Sequence, residues 1–152
     1  MASTTFSGPV TSDNGFIGAL TGNVTGNIAG TGKITHATTS AINATATATA
    51  AEVATGYITS TSASATTITL PTGTLLGAAL GATQGTVFDL YIDNTAGAST
   101  VSIAVAVNGI LSSAANDASP FALSTVAAGA TGVGRFTIMF SSATAYVFTR
   151  TA

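Results

Sequence analysis

The sequence predicts an all-β protein in which an extended glycine-repeat arm precedes a small β-sandwich or jelly-roll-like domain. Three observations lead to this prediction. Of the 152 residues, 92 are small: 30 Ala, 30 Thr, 17 Gly and 15 Ser. Threonine favours strands, and many glycines disfavour long helices. Glycine also recurs at every fourth position near the N-terminus, and the second half of the chain alternates apolar with small or polar residues, which is typical of strands.

Composition divides the chain into three stretches. We expect residues 1–34 to form the extended repeat arm and residues 35–56 to form an Ala/Thr connector with a short helical turn. Residues 57–152 are expected to form the β-sandwich domain. A stretch of about 95 residues is long enough to hold a core of its own.

The arm repeats a unit of the form Gly-x-apolar-small. Alternate residues of an extended chain share a face, so Leu20, Val24 and Ile28 would lie on the same face as the glycines. One strand cannot bury these side chains alone, which predicts several copies wound around one axis, as in an intertwined homotrimer. A flexible Gly/Thr/Asn linker is the alternative. The units begin at Gly18, Gly22, Gly26 and Gly30.

Large apolar residues precede the repeat on both sides of the turn signal Asp13-Asn14-Gly15. Such side chains are expected to be buried in the same protein or against a partner. Together with the apolar residues of the repeat, they are the candidate partner-binding or trimer-forming residues: Phe6, Pro9, Phe16, Ile17, Leu20, Val24 and Ile28.

The connector carries two patterns. Alanine and threonine alternate over Ala44–Ala50, which fits either a strand or a loose connector. Thr49-Ala-Ala-Glu52 matches the capping box that begins a helix. It predicts a short helix over Ala50–Ala54, ended by Gly56.

The third stretch reads as a series of short strands. Turn signals at Asp93-Asn94…Gly97, Asn108-Gly109 and Ser141-Ser142 fall where hairpins would need them. About seven short strands with regular turns favour a sandwich or jelly roll. The strands are expected at Tyr57–Ser60, Thr66–Leu70, Thr86–Asp93, Thr100–Val107, Phe121–Val126, Val133–Phe140 and Ala143–Thr149.

Charge and hydropathy exclude several classes of function. Only 3 residues are basic, so no nucleic-acid partner is expected, because phosphate binding needs a basic patch. The longest apolar stretch, Val101–Val107, is far shorter than the ~20 residues that span a bilayer, so no membrane partner is expected. The N-terminus lacks the pattern of a secretory signal.

Catalytic and metal-binding patterns are also missing from the sequence. There is no cysteine, and His36 is the only histidine, so neither a zinc triad nor a Cys-His pair can be assembled. Asp89 and Asp93 lie about 13 Å apart along one strand, which is too far for a glycosidase pair. Fragments of phosphate-binding loops at Gly15–Gly18 and Gly30–Lys33 are incomplete. We therefore expect no enzyme, no cofactor and no metal site.

Several segments resemble the small decoration or head-fibre proteins of tailed-phage capsids. They are TTFSGPVTSDNGFIG at 4–18 with the following LTGNVTGNI, ATAAEVATGYI at 48–58, ITLP at 68–71, GTVFDLYIDN at 85–94 and the end from Phe136 to Arg150. The resemblance implies a homotrimer bound to the major capsid protein on the outer capsid surface of the virion, made in the host cytoplasm. Such proteins cement capsomers or provide weak adhesion, and they bring no catalytic residues.

A phage tail-fibre or spike module that binds a host-surface receptor or glycan is the alternative. Trimeric spikes share Gly-Asn-Val-Thr repeats. A glycan-binding tip would need exposed aromatic side chains on one face. The tyrosines are Tyr57, Tyr91 and Tyr146, and tryptophan is absent, which weighs against stacking on sugars.

Overall fold

The computed structural model describes residues 38–111 and 124–151. These residues fall within one compact unit, Ile34–Ala152. The repeat arm predicted over 1–34, with all seven candidate residues from Phe6 to Ile28, lies outside the described residues, as does His36. The arm, its trimer and the division into three stretches therefore stay predictions.

The described chain is mostly strand, in two sheets, with few helices. Sheet A has the order β1-β3-β5-β9-β10-β7, and sheet B has the order β2-β4-β6-β8. The prediction of a largely β fold is confirmed. The strands are β1 Ser40–Ala41, β2 Ala46–Thr47, β3 Tyr57–Thr59, β4 Thr66–Thr69, β5 Val87–Asp93, β6 Val101–Ala104, β7 Gly109–Leu111, β8 Thr125–Val126, β9 Val133–Ser142 and β10 Ala145–Arg150, and the helices are α1 Ala50–Ala54 and α2 Gly73–Leu80, with a 3₁₀ turn at Gly129–Thr131.

From β1 to β6, successive strands alternate between the two sheets, and the strands within each sheet pair in parallel. We call β1, β2 and α1 the first coil, β3, β4 and α2 the second coil, and β5 with β6 the third coil. In sheet A, Ile58 lies between Ser40 and Ile92. In sheet B, Ile68 lies between Ala46 and Ile103. Helices α1 and α2 also pack together, so the coils form a short parallel stack with a helical side.

Antiparallel strands complete the unit. β9 pairs with β5 on one side and with β10 on the other, and β8 pairs with β6. A hairpin, β9–β10, does form near the predicted turn Ser141-Ser142, but these two serines end β9 and the turn itself lies at Ala143-Thr144. The hairpins predicted at Asp93–Gly97 and Asn108-Gly109 are wrong. Both turns carry the chain from one sheet to the other: the first joins β5 of sheet A to β6 of sheet B, and the second joins β6 to β7 of sheet A. The two strands at each turn therefore do not pair with each other, as they would in a hairpin.

Both sheets and both helices contribute to one apolar core. Phe136 and Phe148 stack with ring centroids 4.8 Å apart. The fully buried Tyr146 donates a hydrogen bond of 3.0 Å to the Pro71 carbonyl, and burial raises the pKa of its hydroxyl to about 12. Core side chains come from alternate positions of each strand, which is why the alternation could be read from the sequence. The largest buried ones are Tyr146, Phe136, Phe148, Ile58, Ile68, Leu70, Leu76, Leu90, Ile92, Ile138, Val53 and Val101.

The two helices share the same kind of cap: threonine precedes each one, and a glycine with positive φ follows it. The helix predicted over Ala50–Ala54 is confirmed, with both hydrogen bonds of the Thr49–Glu52 capping box present. Gly56 follows it with φ +73°, a conformation that favours glycine. Helix α2 was not predicted. Thr72 caps it by accepting from the Leu75 amide, and Gly81 ends it with φ +58°.

Candidate functional site

The outer face of sheet A carries the strongest surface pattern among the described residues. Its strands turn buried side chains inward and leave every second residue outside. The strand register brings the outward residues into rows that cross the sheet. We name two of them. The apolar row is Val87, Met139, Val147 and Ile110, and the aromatic row is Tyr57, Tyr91 and Arg135.

The apolar row crosses four neighbouring strands. Met139 of β9 lies opposite Val87 of β5 on one side and Val147 of β10 on the other, and Val147 lies opposite Ile110 of β7. Val87 is 61% exposed, Ile110 59% and Met139 41%. Single exposed apolar residues are ordinary, but a contiguous set marks an interaction surface. No single segment of the sequence shows this row, since each strand supplies one member.

A polar row lies beside the apolar row, formed by Asp89, Thr137 and Thr149. Asp89 forms an ion pair with Arg135, with Oδ2 2.5 Å from Nη2, and accepts a 2.9 Å hydrogen bond from the Thr137 hydroxyl. The hydrogen bond from Arg135 lowers the pKa of Asp89 most, and that from Thr137 lowers it further, while partial burial opposes them. The charge of Asp89 is thus matched within the chain.

The aromatic row ties three strands together. The rings of Tyr57 and Tyr91 stack with centroids 6.5 Å apart, and the Arg135 guanidinium lies 5.9 Å from the centroid of Tyr91. β5 lies between β3 and β9, so Tyr91 has a neighbour on each side. These ring contacts join β3, β5 and β9 on the outer face of sheet A.

Asp93 is the last residue of β5 and lies beside the aromatic row. The Tyr57 hydroxyl donates to Asp93 Oδ2 at 2.7 Å, and Thr95 donates to Oδ1 from its amide and its hydroxyl. The bonds from Thr95, and then that from Tyr57, lower the pKa of Asp93. The same bond to Asp93 raises the pKa of Tyr57. The interpretation of Asp93-Asn94 as a turn starter fits this geometry.

Asn94 holds the connection between β5 and β6 in place. Its side-chain amide donates to the carbonyls of Ser99, Val126 and Ala127 at 2.8, 3.3 and 3.0 Å. Its Oδ1 is buried and lies against Gly97, where any Cβ would collide with it. Three donated bonds orient this amide, so we assign it to the architecture and not to ligand binding.

The outer face of sheet B differs from that of sheet A. Its outward positions carry small side chains, among them Thr67, Thr69, Ser102 and Ala104, and the described strands of sheet B hold no charged residue. Two side chains of the first coil bond to the second coil near this face. The Thr61 amide donates to Asn43 Oδ1 at 2.8 Å, and the Thr67 amide donates to the Thr45 hydroxyl at 3.1 Å.

The tyrosines considered for glycan binding separate into two groups. Tyr57 and Tyr91 share the outer face of sheet A, whereas Tyr146 is fully buried. Within 38–111 and 124–151, no three His, Cys, Asp or Glu side chains converge as metal ligands. Across the same residues, no helix has the length and hydropathy needed to cross a membrane.

Comparison of the chain with protein-family models, with curated proteins and with solved structures finds no match.

Proposed function

We propose that this chain is a structural virion protein that decorates the outer surface of a tailed-phage capsid as a homotrimer bound to the major capsid protein. In this role it would stabilise capsomers or present a weak adhesion surface. The observation that carries the proposal is the Gly-x-apolar-small repeat of residues 18–30, joined to a β unit with very little charge.

The repeat supports an arm that binds by apolar contact. Phe6, Pro9, Phe16 and Ile17 would be anchors on the shell, and Leu20, Val24 and Ile28 would lie in layers between sister chains. Burial of one Phe or Ile side chain contributes roughly 1.5–3 kcal/mol. Three arms on one particle strengthen binding through effective concentration.

The β unit supports a structural role in a different way. Of its described charged residues, Asp89 and Arg135 pair with each other and Asp93 bonds to Tyr57 and Thr95. Within the described residues, no three His, Cys, Asp or Glu side chains converge as metal ligands. We propose that the two sheets form a β-sandwich that contains the parallel stack of coils. This unit would project from the capsid.

Binding to capsids that lack the protein tests the proposal. A chain without residues 1–30 should lose binding, and so should a full-length chain with Phe16→Ser and Ile17→Ser. Ser102→Ala on the outer face of sheet B is the matched control and should bind like the wild type. Undiminished binding by both arm variants would contradict the proposal.

The alternative is a fibre-tip module that binds a host-surface receptor or glycan. Tyr57 and Tyr91 lie side by side on an outer face, which favours it, but their rings stack on each other and Arg135 lies over Tyr91. A glycan array probed with the full chain and with Tyr91→Ala separates the two functions. Selective binding that the variant loses would favour the alternative.

A further inference from the structure

Buried polar side chains gather where the second and third coils pass from sheet A to sheet B. Apart from Tyr146, the buried polar residues of the described chain all lie there, and we name them the polar corner: Ser60, Ser62, Thr66 and Asn94. Two of their atoms, Thr66 Oγ1 and Asn94 Oδ1, have no hydrogen-bond partner among the described residues. Leaving such atoms unpaired costs free energy, so native proteins supply a partner, which is often an ordered water.

Hydrogen bonds between the two coils bring the members of the polar corner together. The Ser60 amide donates to the Asp93 carbonyl at 2.8 Å, so Ser60 lies beside Asn94 at the usual strand spacing of ~4.8 Å. The Thr66 amide donates to the Thr100 carbonyl at 3.1 Å, and the Asn94 side-chain amide donates to the carbonyl of the residue before it at 2.8 Å. Thr66 and Asn94 thus bond to consecutive residues of the third coil.

Ser60 supplies a third polar group to the corner. Its hydroxyl oxygen accepts a 3.5 Å hydrogen bond from the Ser62 amide, which leaves the hydroxyl proton to be donated elsewhere. Ser60 is 1% exposed, Thr66 5% and Asn94 0%, so bulk solvent does not reach these groups. The corner therefore presents two hydroxyls, which can donate and accept, and one amide oxygen, which can only accept.

We infer that the polar corner binds one ordered water molecule, which donates to Asn94 Oδ1 and shares hydrogen bonds with the hydroxyls of Ser60 and Thr66. A buried water typically makes about three hydrogen bonds, and these three groups supply them. The water would be part of the architecture, and it would join the second coil to the third inside the unit. The inference goes beyond the proposed capsid role and does not depend on it.

The chemistry of the polar corner favours water over a metal ion. Its groups are uncharged, and the neighbouring carboxylate of Asp93 is already bonded to Tyr57 and Thr95. Cations that bind oxygen need about six ligands or more, usually with carboxylates among them. A water molecule can donate and accept, so it suits two hydroxyls beside an amide oxygen. Three donated bonds orient the Asn94 amide, so its Oδ1 is held in place before the water binds.

The test is oxygen-17 relaxation dispersion of the solvent around the full chain, which counts water molecules held for longer than the tumbling time of the protein. Thr66→Val should reduce this count by one, because valine keeps the β-branched shape but cannot form the hydrogen bond. Thr66→Ser keeps the hydroxyl and should keep the water. Thr67→Val is the matched control, because Thr67 is the next residue of β4 and lies on the outer face of sheet B. The control should keep the wild-type count.

Urea unfolding of the same variants gives an independent readout. Thr66→Val should lower the urea midpoint, because the water and Asn94 Oδ1 lose a shared partner. If the Thr66 hydroxyl were unpaired in the protein, valine would raise the midpoint instead, because it removes a buried polar group. Ser60→Ala should also lose the water while keeping the wild-type circular dichroism spectrum, which guards against misfolding of Thr66→Val.

A water count that stays unchanged in both Thr66→Val and Ser60→Ala overturns the inference, and so does a raised midpoint for Thr66→Val. Neither measurement involves a capsid, so this inference and the proposed function fail by separate experiments.

Discussion

The first and second coils follow one plan with different side chains. In each, a strand of sheet A leads to a strand of sheet B and then to a helix capped by threonine. The residue four positions after the cap is buried in both helices, Val53 in α1 and Leu76 in α2. In sheet B, Ala46 of the first coil lies opposite Ile68 of the second. The first coil is thus the smaller version of the second.

The difference follows from position in the stack. Strands β3 and β4 lie between neighbours on both sides, whereas β1 and β2 are edges of their sheets within the described residues. A central coil can bury large side chains against both neighbours, and an end coil has fewer atoms to pack against. The comparison teaches that side-chain volume, and not the order of elements, distinguishes the centre of this stack from its end.

The largest effect is expected from the two equivalent core residues. Leu76→Ala should lower the free energy of unfolding by about 2–5 kcal/mol. Val53→Ala should cost less, because it removes one carbon fewer and the end coil can close around the space more easily. Urea unfolding of both variants, with Ala78→Gly as an exposed control on α2, checks the order. Equal losses at the two positions would contradict the comparison.

A smaller effect is expected five residues after each cap, where α1 has Ala54 and α2 has Gly77. A Cβ at Gly77 would collide with the Ala143 carbonyl in the β9–β10 turn. Gly77→Ala should therefore destabilise the protein by about 1–3 kcal/mol, although alanine favours helices more than glycine does. Thermal unfolding checks this, and a stabilised variant would show that α2 can move away from the turn.

The smallest effect concerns the junctions between coils. The second and third coils are joined by the Tyr57–Asp93 bond, which is stronger when the carboxylate is ionised, whereas Asn43 and Thr45 of the first coil bond to the second as uncharged groups. The bonds from Thr95, and then that from Tyr57, lower the pKa of Asp93 from 3.8. The stability that these bonds contribute is therefore present at neutral pH and is lost as the pH falls through the lowered value.

Asp93→Asn should therefore reduce the acid-induced loss of stability. The measurement is the free energy of unfolding at neutral pH and below the ordinary Asp pKa of 3.8, in wild type and variant. Asn43→Ser is the matched control and should leave the pH dependence unchanged. Parallel pH curves for wild type and Asp93→Asn would show that the bonds at Asp93 contribute no pH-dependent stability.

Local signals in the sequence predicted the elements that local chemistry decides. The capping box at Thr49–Glu52 gave the bounds of α1, and alternation placed the core residues of β5, β9 and β10. Pairing could not be predicted in this way, because Asp93–Gly97 and Asn108-Gly109 have the same turn residues whether the chain returns to its own sheet or crosses to the other. Helix α2 was missed because Gly73 and Gly77 disfavour a helix locally, while close packing on the β9–β10 turn requires them.

The candidate site could not be predicted from the sequence, for a related reason. Val87, Met139, Val147 and Ile110 come from four strands, and only the register of the sheet makes them a row. The sequence analysis considered Tyr57, Tyr91 and Tyr146 together. It could not show that Tyr57 and Tyr91 stack, which depends on the parallel pairing of β3 and β5, or that Arg135 lies over Tyr91, which depends on the antiparallel pairing of β5 and β9.

The pairing of β9 with β5 has a consequence for the rate of folding. The bond between Asp89 and Thr137 joins residues 48 positions apart, whereas Ser40 and Ile58 of the first two coils meet across a much shorter loop. Distant pairings slow folding because the loop must close before its contacts form. We expect Val53→Ala in the first coil to slow folding and Ile138→Val in β9 mainly to speed unfolding, because the contacts across the shorter loop form first. Stopped-flow kinetics of both variants checks this order.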